Sequence, residues 1–214
     1  MSTFGVKCFV LLALYHTSVI SGEKCFLPHG QPNLDFKKIS ETSWFVGLQT
    51  HDALATKVQC VKLDNFTTTI TGFKFIAEEY GDGPVDVKYS VNFVRRGANG
   101  LYSFDKQKDE ISLISSHRLI FQNDYTKEVH DTDNDELTGN GVVFWTDYKN
   151  YFALIECRNN GEWILWVYFP SITPSVTNLV ALYNKLHEIG VSTTFHLSRC
   201  SEHVDLIDLE NHIF

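Results

Sequence analysis

The first candidate for a chemically active site is an acidic segment, "HDTDNDELTGN", at positions 130–140. Asp131, Asp133 and Asp135 alternate in the way that the first ligands of an EF-hand calcium loop do. That loop needs glycine at its sixth position for a sharp turn, but this chain has Glu136 there and no helical pattern on either side. The pattern therefore favours a solvated hairpin loop, and no metal site is predicted.

Hydrolytic chemistry has no recognisable motif in this sequence. Serines and histidines are present, but neither the Gly-x-Ser-x-Gly turn of a nucleophilic serine nor the His-Glu-x-x-His pattern of a zinc protease occurs. The chain is therefore predicted not to be an enzyme.

The cysteines indicate structural rather than catalytic chemistry. Of the five, Cys8 lies in an apolar N-terminal stretch, and Cys25, Cys60, Cys157 and Cys200 remain. An even number in an oxidising compartment predicts two disulfides, with three possible connectivities. Zinc is a poorer interpretation, because no two of these cysteines are close in sequence.

The first 22 residues resemble a secretory signal peptide. Lys7 precedes the short apolar stretch "CFVLLALYHTSVISG", and cleavage is expected after Gly22, or alternatively after Ser21. A buried N-terminal strand is the other interpretation of this stretch. We therefore expect a secreted chain with one domain over 23–214, because no other apolar run approaches the length of a membrane span.

Charge and surface motifs agree with an extracellular protein. The formal net charge is −8 and the basic runs are short, which argues against binding to nucleic acid or anionic lipid. Asn65-Phe66-Thr67 is an N-glycosylation acceptor in a threonine-rich stretch. Glycosylation of Asn65 is predicted.

Short strands must position any site in this chain. Val87, Tyr89, Val91 and Phe93 alternate with polar residues, which is typical of a strand with one apolar face. The other predicted strands are "TSWFVGLQT", "VQCVKL", "TTTITGFKFIAEEY", "GLYSFDK", "ISLISS", "HRLIFQNDY", "GVVFWTDY", "YFALIEC" and "EWILWVYF". Their spacing predicts an antiparallel sandwich or barrel, and closure into a barrel would leave no edge exposed.

One helix is predicted near the C-terminus, followed by a strand "VSTTFHL". Thr173 is the expected N-cap, Pro174 the first helical residue and Gly190 the residue that ends the helix. The apolar face is expected to include residues at helical spacing. These are Leu179, Val180, Tyr183, Leu186 and His187.

Three segments, in this order, resemble the lipocalin family. "NLDFKKISETSWFVGLQT" is similar to the first motif, with Trp44, and "WTDYKNYFALIEC" to the second, with Thr146-Asp147-Tyr148. "EWILWVYFPSITPSVTNLVALYNKLHEIGV" followed by Cys200 is similar to the last strand, helix and cysteine of apolipoprotein D and insect lipocalins. The resemblance implies an all-β fold, an eight-stranded antiparallel up-and-down β-barrel (the lipocalin calyx) with one C-terminal α-helix packed outside.

Two positions depart from the family pattern. Thr42 stands where the family usually has glycine, and Val167 stands where an arginine usually stacks on the motif tryptophan. Because that cation–π contact is missing, we expect apolar contacts from Trp166 or Phe169 to plug the closed end instead. Insect bilin-binding and triatomine salivary lipocalins also imply the disulfides Cys25–Cys157 and Cys60–Cys200.

Heme is not expected as a cofactor. In nitrophorins, which this chain resembles, a histidine on the strand after the second cysteine holds the heme iron. The matching segment here is "FKFIAEEYGD", which offers Glu78 and Glu79 instead, and no histidine lies between His51 and His117.

The resemblance implies binding of a small hydrophobic molecule: a pigment such as biliverdin, a retinoid, a sterol or a fatty acid. The candidate inward-facing ligand residues are Tyr89, Phe93, Tyr102, Phe121 and Trp145. Glu78 or Glu79 near the mouth would meet a cationic ligand. The alternatives are a barrel filled by its own side chains, a salivary-type inhibitor that binds a host protein, and a scavenger of biogenic amines or lipid mediators.

Overall fold

The computed structural model describes residues 25–203, except 52–54, 56–57, 82–86, 106–140 and 159–160. Several predicted features lie outside the described residues. They are the signal peptide at 1–22, the strands within 111–125, the candidate ligand residue Phe121 and the acidic segment at 130–140.

Eight strands of the described chain form one closed antiparallel barrel. They are β1 (Trp44–Gln49), β2 (Val58–Thr68), β3 (Gly72–Gly81), β4 (Val87–Arg95), β5 (Leu101–Phe104), β6 (Val142–Thr146), β7 (Phe152–Cys157) and β8 (Trp163–Phe169). Each pairs with its neighbour in sequence, and β1 pairs with both β2 and β8, which closes the barrel. A two-residue strand, β9 (His196–Leu197), pairs with β1. The predicted eight-stranded up-and-down barrel is confirmed.

The segment predicted as a single strand at 67–80 contains a turn. β2 continues to Thr68, and the chain reverses before β3 begins at Gly72, where the Thr69 amide donates to the Gly72 carbonyl. Ile70, at the tip of this turn, is fully exposed. Because threonine and isoleucine favour strands, residue propensity gives no sign that the chain turns here.

A four-residue helix, α1 (Phe36–Ile39), precedes the barrel and was not predicted. Asp35 caps it by accepting a hydrogen bond from the Lys38 amide. Ile39 is fully buried, and the ring of Phe36 stacks on Phe73 inside the barrel, with 4.4 Å between centroids. The helix therefore blocks one end of the barrel, which we call the closed end.

The C-terminal helix, α2, runs from Val176 to Glu188. Its N-cap is Ser175, which exchanges hydrogen bonds with Asn178, so the prediction of Thr173 as cap and Pro174 as first residue was wrong. Gly190 has φ +72° and ends the helix as predicted.

The face that α2 buries agrees with the prediction only in part, since the predicted residues Leu179 and Leu186 pack on the barrel. Asn178, Leu182 and Leu186 are buried, whereas Val180 and Tyr183 are exposed. Leu182 and Leu186 pack on the outward residues of β6–β8, which include Val143, Ile155 and Val167. The helix therefore covers the outer side of the barrel.

Both terminal segments of the described chain are joined to the barrel by disulfides. Cys25 bonds to Cys157 at the end of β7, and Cys60 in β2 bonds to Cys200. Cys200 begins a 3-10 helix that ends at His203. The pairing is the one that the resemblance implies.

Candidate ligand site in the barrel interior

Alternation along β3 and β4 places one polar pair on the inner wall of the barrel. Phe75 pairs with Val91 and Ala77 with Tyr89, and all four side chains belong to or pack against the inner apolar cluster. Because side chains alternate between the two faces of a strand, Glu79 shares this inner face. The Tyr89 hydroxyl donates a hydrogen bond to Glu79 Oε1.

Glu79 has an unusual acidity because of its position. It is 8% exposed, and burial disfavours its charged form. Burial raises the pKa of Glu79 to about 7, against the opposing effect of the hydrogen bond from Tyr89. At neutral pH the carboxyl group therefore exists in both protonation states, and it can donate or accept a hydrogen bond.

A second carboxyl group lies on the inner face of β7. Glu156 alternates with Phe152 and Leu154, which belong to the inner cluster, and Glu156 itself is fully buried. In the sheet order, β7 is four strands from β3, so Glu156 and Glu79 belong to opposite walls. Glu156 was not predicted as a site residue, although it alternates with Phe152 and Leu154 in "FALIEC".

Aromatic rings fill the part of the barrel next to the closed end. Phe144 contacts Phe93 at 5.0 Å and Phe152 at 5.5 Å between centroids, and Tyr102 contacts Phe73 at 5.1 Å. These rings are at most 2% exposed. They form a floor beneath the Glu79–Tyr89 pair, to which the predicted inward residues Phe93 and Tyr102 belong.

The motif tryptophan closes this floor without an arginine. Trp44 is fully buried, donates from Nε1 to the Ile39 carbonyl at 2.9 Å, and packs 6.1 Å from the Phe152 ring. Within the described part of the chain, no cation lies over this ring. Val167 and Phe169 both face α2 on the outer side, so the suggestion that Phe169 plugs the closed end was wrong.

Trp166 does not plug the closed end either. Its side chain belongs to the inner cluster, but it pairs with Gln49 at the last residue of β1, whereas Trp44 is the first residue of that strand. Trp166 therefore lies toward the end of the barrel opposite α1.

The Thr146-Asp147-Tyr148 motif forms the turn between β6 and β7. The Asp147 carboxylate accepts hydrogen bonds from the amides of Lys149 (3.0 Å) and Asn150 (2.6 Å). Burial raises the pKa of Asp147, but hydrogen bonds from Asn150, Lys149 and Tyr151 outweigh this and lower it overall. The turn is therefore held by an ionised aspartate.

The same motif fixes the segment that leads into α1. The Tyr148 hydroxyl accepts hydrogen bonds from Gln31 Nε2 (2.8 Å) and the Asp35 amide (3.1 Å), and Gln31 Oε1 accepts from the Thr146 amide (3.0 Å). Tyr148 adopts φ +66° in this arrangement. The motif serves to hold the closed end together and does not reach the inner polar pair.

Two candidate ligand residues lie on the outside of the barrel, contrary to prediction. Trp145 donates from Nε1 to the His29 carbonyl, and its ring lies 4.2 Å from Lys185 of α2. Glu78 is on the outer face of β3, where it pairs with Lys62 at 3.3 Å and with Lys88. Both errors have one cause, since a one-residue error in register exchanges the two faces of a strand.

The predicted glycosylation site lies on the surface. Asn65 is exposed and adopts φ +54° at an irregularity of β2; its glycosylation stays a prediction. Within the described ranges, no cluster of three or more His, Cys, Asp or Glu residues could hold a metal ion, and no helix is long and apolar enough to cross a membrane.

Comparison with known proteins gives structural matches alone. No protein-family model matches the chain, and no curated protein matches it. The cockroach allergen Per a 4 is similar in structure, with a TM-score of 0.50 and 12% identity over 82% of this chain and 94% of that chain. Insecticyanin from the tobacco hornworm Manduca sexta has a TM-score of 0.53 and 11% identity over 81% of this chain and 85% of its own.

Both of these similar structures are lipocalins. The closed eight-stranded barrel, the single helix that follows β8 and these two likenesses together show that the chain has the lipocalin fold.

Proposed function

We propose that this protein is a secreted carrier that binds a small, mostly hydrophobic molecule inside its barrel. The observation that carries the proposal is the inner wall, where the Glu79–Tyr89 pair stands among apolar side chains above the aromatic floor. An apolar site with a few placed polar groups is the usual form of a small-molecule site. A bilin pigment, a retinoid, a sterol and a fatty acid are the ligand classes to test.

Affinity and selectivity would come from different parts of the wall. Burial of apolar ligand surface provides affinity, at about 25 cal/mol for each Å² removed from water. The Glu79 carboxyl group and the Tyr89 hydroxyl provide hydrogen bonds to a polar end of the ligand. The four cysteines of the described chain are all in disulfides, so none of them offers a free thiol to a ligand.

Two observations support secretion. The disulfides require an oxidising compartment, and the predicted glycosylation site, Asn65, is exposed. Expression in secreting insect cells tests both points. The protein should appear in the medium without residues 1–22, and a glycosidase should reduce its mass; protein retained in the cells would contradict this part of the proposal.

The carrier function is tested by purification of the protein under mild conditions, followed by native mass spectrometry and an absorption spectrum. Representatives of the four ligand classes are then titrated. We expect at least one to bind at micromolar concentration, and Tyr89→Phe to weaken it about fivefold through loss of a hydroxyl partner. Tyr183→Phe makes the same change on the exposed face of α2 and should have no effect. If no ligand co-purifies and none binds, the carrier function is wrong.

The inward carboxyl group also favours a second candidate, the sequestration of a biogenic amine. A protonated amine would pair with ionised Glu79, so binding should strengthen between pH 5.5 and pH 8 as the carboxyl group loses its proton. A neutral hydrophobic ligand should not show this rise. Titration of histamine, serotonin and retinol at both pH values separates the two candidates, and Glu79→Gln should abolish the pH dependence for an amine.

A further inference from the structure

A groove lies outside the barrel, at its closed end. It has a volume of about 660 Å³, within the range of small-molecule sites. One wall is the segment that leads into α1 (33–37), and the other is the turn between β2 and β3 (68–72); Arg95 and Tyr102 complete the lining. The groove is separate from the Glu79–Tyr89 pair, which lies above the aromatic floor.

The floor of the groove contains a hydroxyl group that has no hydrogen-bond partner in the part of the chain that the structure describes. Tyr102 is 2% exposed and its ring packs edge-on against Phe73 and Phe144. Its hydroxyl makes no hydrogen bond with any residue that the structure describes, and Tyr102 lines the groove, so the hydroxyl is available to a ligand there. Burial raises the pKa of Tyr102, while nearby Arg95 lowers it, and the hydroxyl therefore remains a hydrogen-bond donor at neutral pH.

The charges around the groove favour an anion. Arg95 donates from Nη2 to the Pro32 carbonyl and from Nε to the Gly97 carbonyl, which fixes the guanidinium while Nη1 has no partner among the described residues. Lys37 adds a second cation. The one carboxylate in the lining, Asp35, is already engaged by the amide and the ammonium group of Lys38.

The same groove presents apolar surface. Leu34 and Phe36 are half-buried in one wall, and Ile70 is fully exposed at the tip of the other. A ligand that covers Ile70 would remove this side chain from water. The lining thus combines a buried donor and two cations with an apolar rim.

We propose that this groove is a second binding site, for a small organic anion with an apolar body, such as an aryl or short-chain carboxylate. The carboxylate accepts a hydrogen bond from Tyr102 and lies between Arg95 and Lys37. The apolar body covers Leu34, Phe36 and Ile70.

The test uses 4-phenylbutyrate as the probe and 4-phenylbutanol as its uncharged counterpart. Each is titrated into the ¹⁵N-labelled mature protein, and amide shifts are followed by NMR. We expect the carboxylate to shift the amides of Asn33, Thr69 and Thr71, and to bind at least fivefold more tightly than the alcohol. Shifts confined to the inner wall, at Tyr89 and Val91, or equal affinity for the two probes would overturn the proposal.

Three variants sharpen the test. Tyr102→Phe keeps the ring in the floor and should weaken the carboxylate about fivefold. Ile70→Glu should weaken it and Ile70→Lys should not, and both changes lie at a fully exposed position that leaves folding intact. Tyr183→Phe is the matched control on α2. Wild-type affinity in both Tyr102→Phe and Ile70→Glu would refute the site, whatever the barrel interior binds.

Discussion

Glu79 is the residue whose chemistry depends most on where the fold places it. It lies beside Glu78 in the sequence, yet Glu78 forms ion pairs with Lys62 and Lys88 on the outer wall, while Glu79 accepts a hydrogen bond from the Tyr89 hydroxyl on the inner wall. Two adjacent carboxyl groups thus have opposite shifts: the pKa of Glu79 is raised and that of Glu78 is lowered. For Glu78, burial opposes the lowering, but the two lysines outweigh it.

Glu79 should make stability fall as pH rises. Its folded pKa of about 7 is above the ordinary 4.5, so the folded state binds more protons than the unfolded state between these values. The free energy of unfolding therefore decreases from pH 4.5 to pH 7, and the full penalty, up to about 3 kcal/mol, is present above pH 7. Glu79→Gln should remove this penalty, and urea unfolding at pH 5 and pH 8 measures the difference.

The expected result is that Glu79→Gln unfolds at a higher urea concentration than wild type at pH 8, with a much smaller difference at pH 5. Glu41→Gln makes the same change at an exposed carboxylate and should show no such dependence. An equal effect of Glu79→Gln at both pH values would mean that Glu79 has an ordinary pKa.

Asp147 stabilises its turn through the opposite shift. Its carboxylate accepts hydrogen bonds from the amides of Lys149 and Asn150, and Asp147→Ala should lower the free energy of unfolding by about 1–2 kcal/mol. Because its pKa is lowered from 3.8, this contribution is present above pH 3.8 and is lost as pH falls through the folded value. Urea unfolding at pH 7 and pH 3 tests both statements.

Lys149→Ala is the control for that experiment, since the Lys149 side chain is exposed and the turn uses only its amide. It should change stability by less than about 0.5 kcal/mol. If the two alanine variants are equally stable at pH 7, the aspartate does not hold the turn.

The sequence predicted which residue types line the site, but it did not always predict whether a side chain faces the inside or the outside of the barrel. Alternation in "DVKYSVNFV" correctly put Tyr89 and Phe93 on one face, because polar residues separate them. In "VVFWT" both faces are apolar, since α2 covers the outer side. The sequence therefore did not distinguish Trp145, which faces out, from Phe144, which faces in.

At the scale of elements, α2 shows why helical periodicity can mislead. A helix on the surface of a barrel needs a narrow apolar stripe, and here Leu182 and Leu186 supply it. Val180 and Tyr183 also fall at helical spacing but are 53% and 52% exposed. Periodicity alone admitted both stripes, and only contact with β6–β8 selects one of them.

Alanine substitution separates the two stripes. Leu182 is fully buried against the outer wall, and Leu182→Ala should lower the free energy of unfolding by about 2–5 kcal/mol. Val180→Ala removes apolar atoms from an exposed position and should cost less than about 0.5 kcal/mol. Thermal or urea unfolding of both variants provides the measurement, and a similar loss in each would show that α2 packs through a different face.

The sequence predicted the turns that contain a glycine and did not predict the turn that lacks one. Gly190 ended α2 as expected because its φ of +72° suits glycine. The turn at Thr69–Thr71 has strand-forming residues and no glycine before Gly72. Its reversal is decided by the pairing of β2 with β3, a tertiary contact that local propensity does not contain.

At the scale of the whole molecule, strand pairing closes the barrel, and the disulfides attach the terminal segments of the described chain to it. β1 pairs on both sides with β2 and β8, so every strand of the described barrel has two neighbours. Cys25–Cys157 and Cys60–Cys200 join residues separated by 132 and 140 positions. Motif order in the sequence implied both the closure and the pairing, whereas strand propensity alone left a sandwich possible.

Removal of Cys60–Cys200 should release the C-terminal segment and leave the barrel closed. On the chain-entropy model, a loop of this length contributes up to about 4–5 kcal/mol, so Cys60→Ala/Cys200→Ala should lower the urea midpoint strongly. The 3-10 helix at Cys200–His203 should also detach, because the contacts that remain are non-covalent, such as the hydrogen bond from the Arg199 amide to the Gln59 carbonyl and the contact of His203 with Gln59. Trypsin should then cleave after Arg199 faster than in wild type.

Cys25→Ala/Cys157→Ala is the matched control for this effect. It removes a disulfide that closes a similar length of chain, and it should lower the midpoint by a similar amount. Cleavage after Arg199 should stay slow in this variant, since Cys200 is still attached to β2. Equal cleavage rates in the two double variants would mean that global unfolding, and not the local anchor at Cys200, controls access to the C-terminal segment.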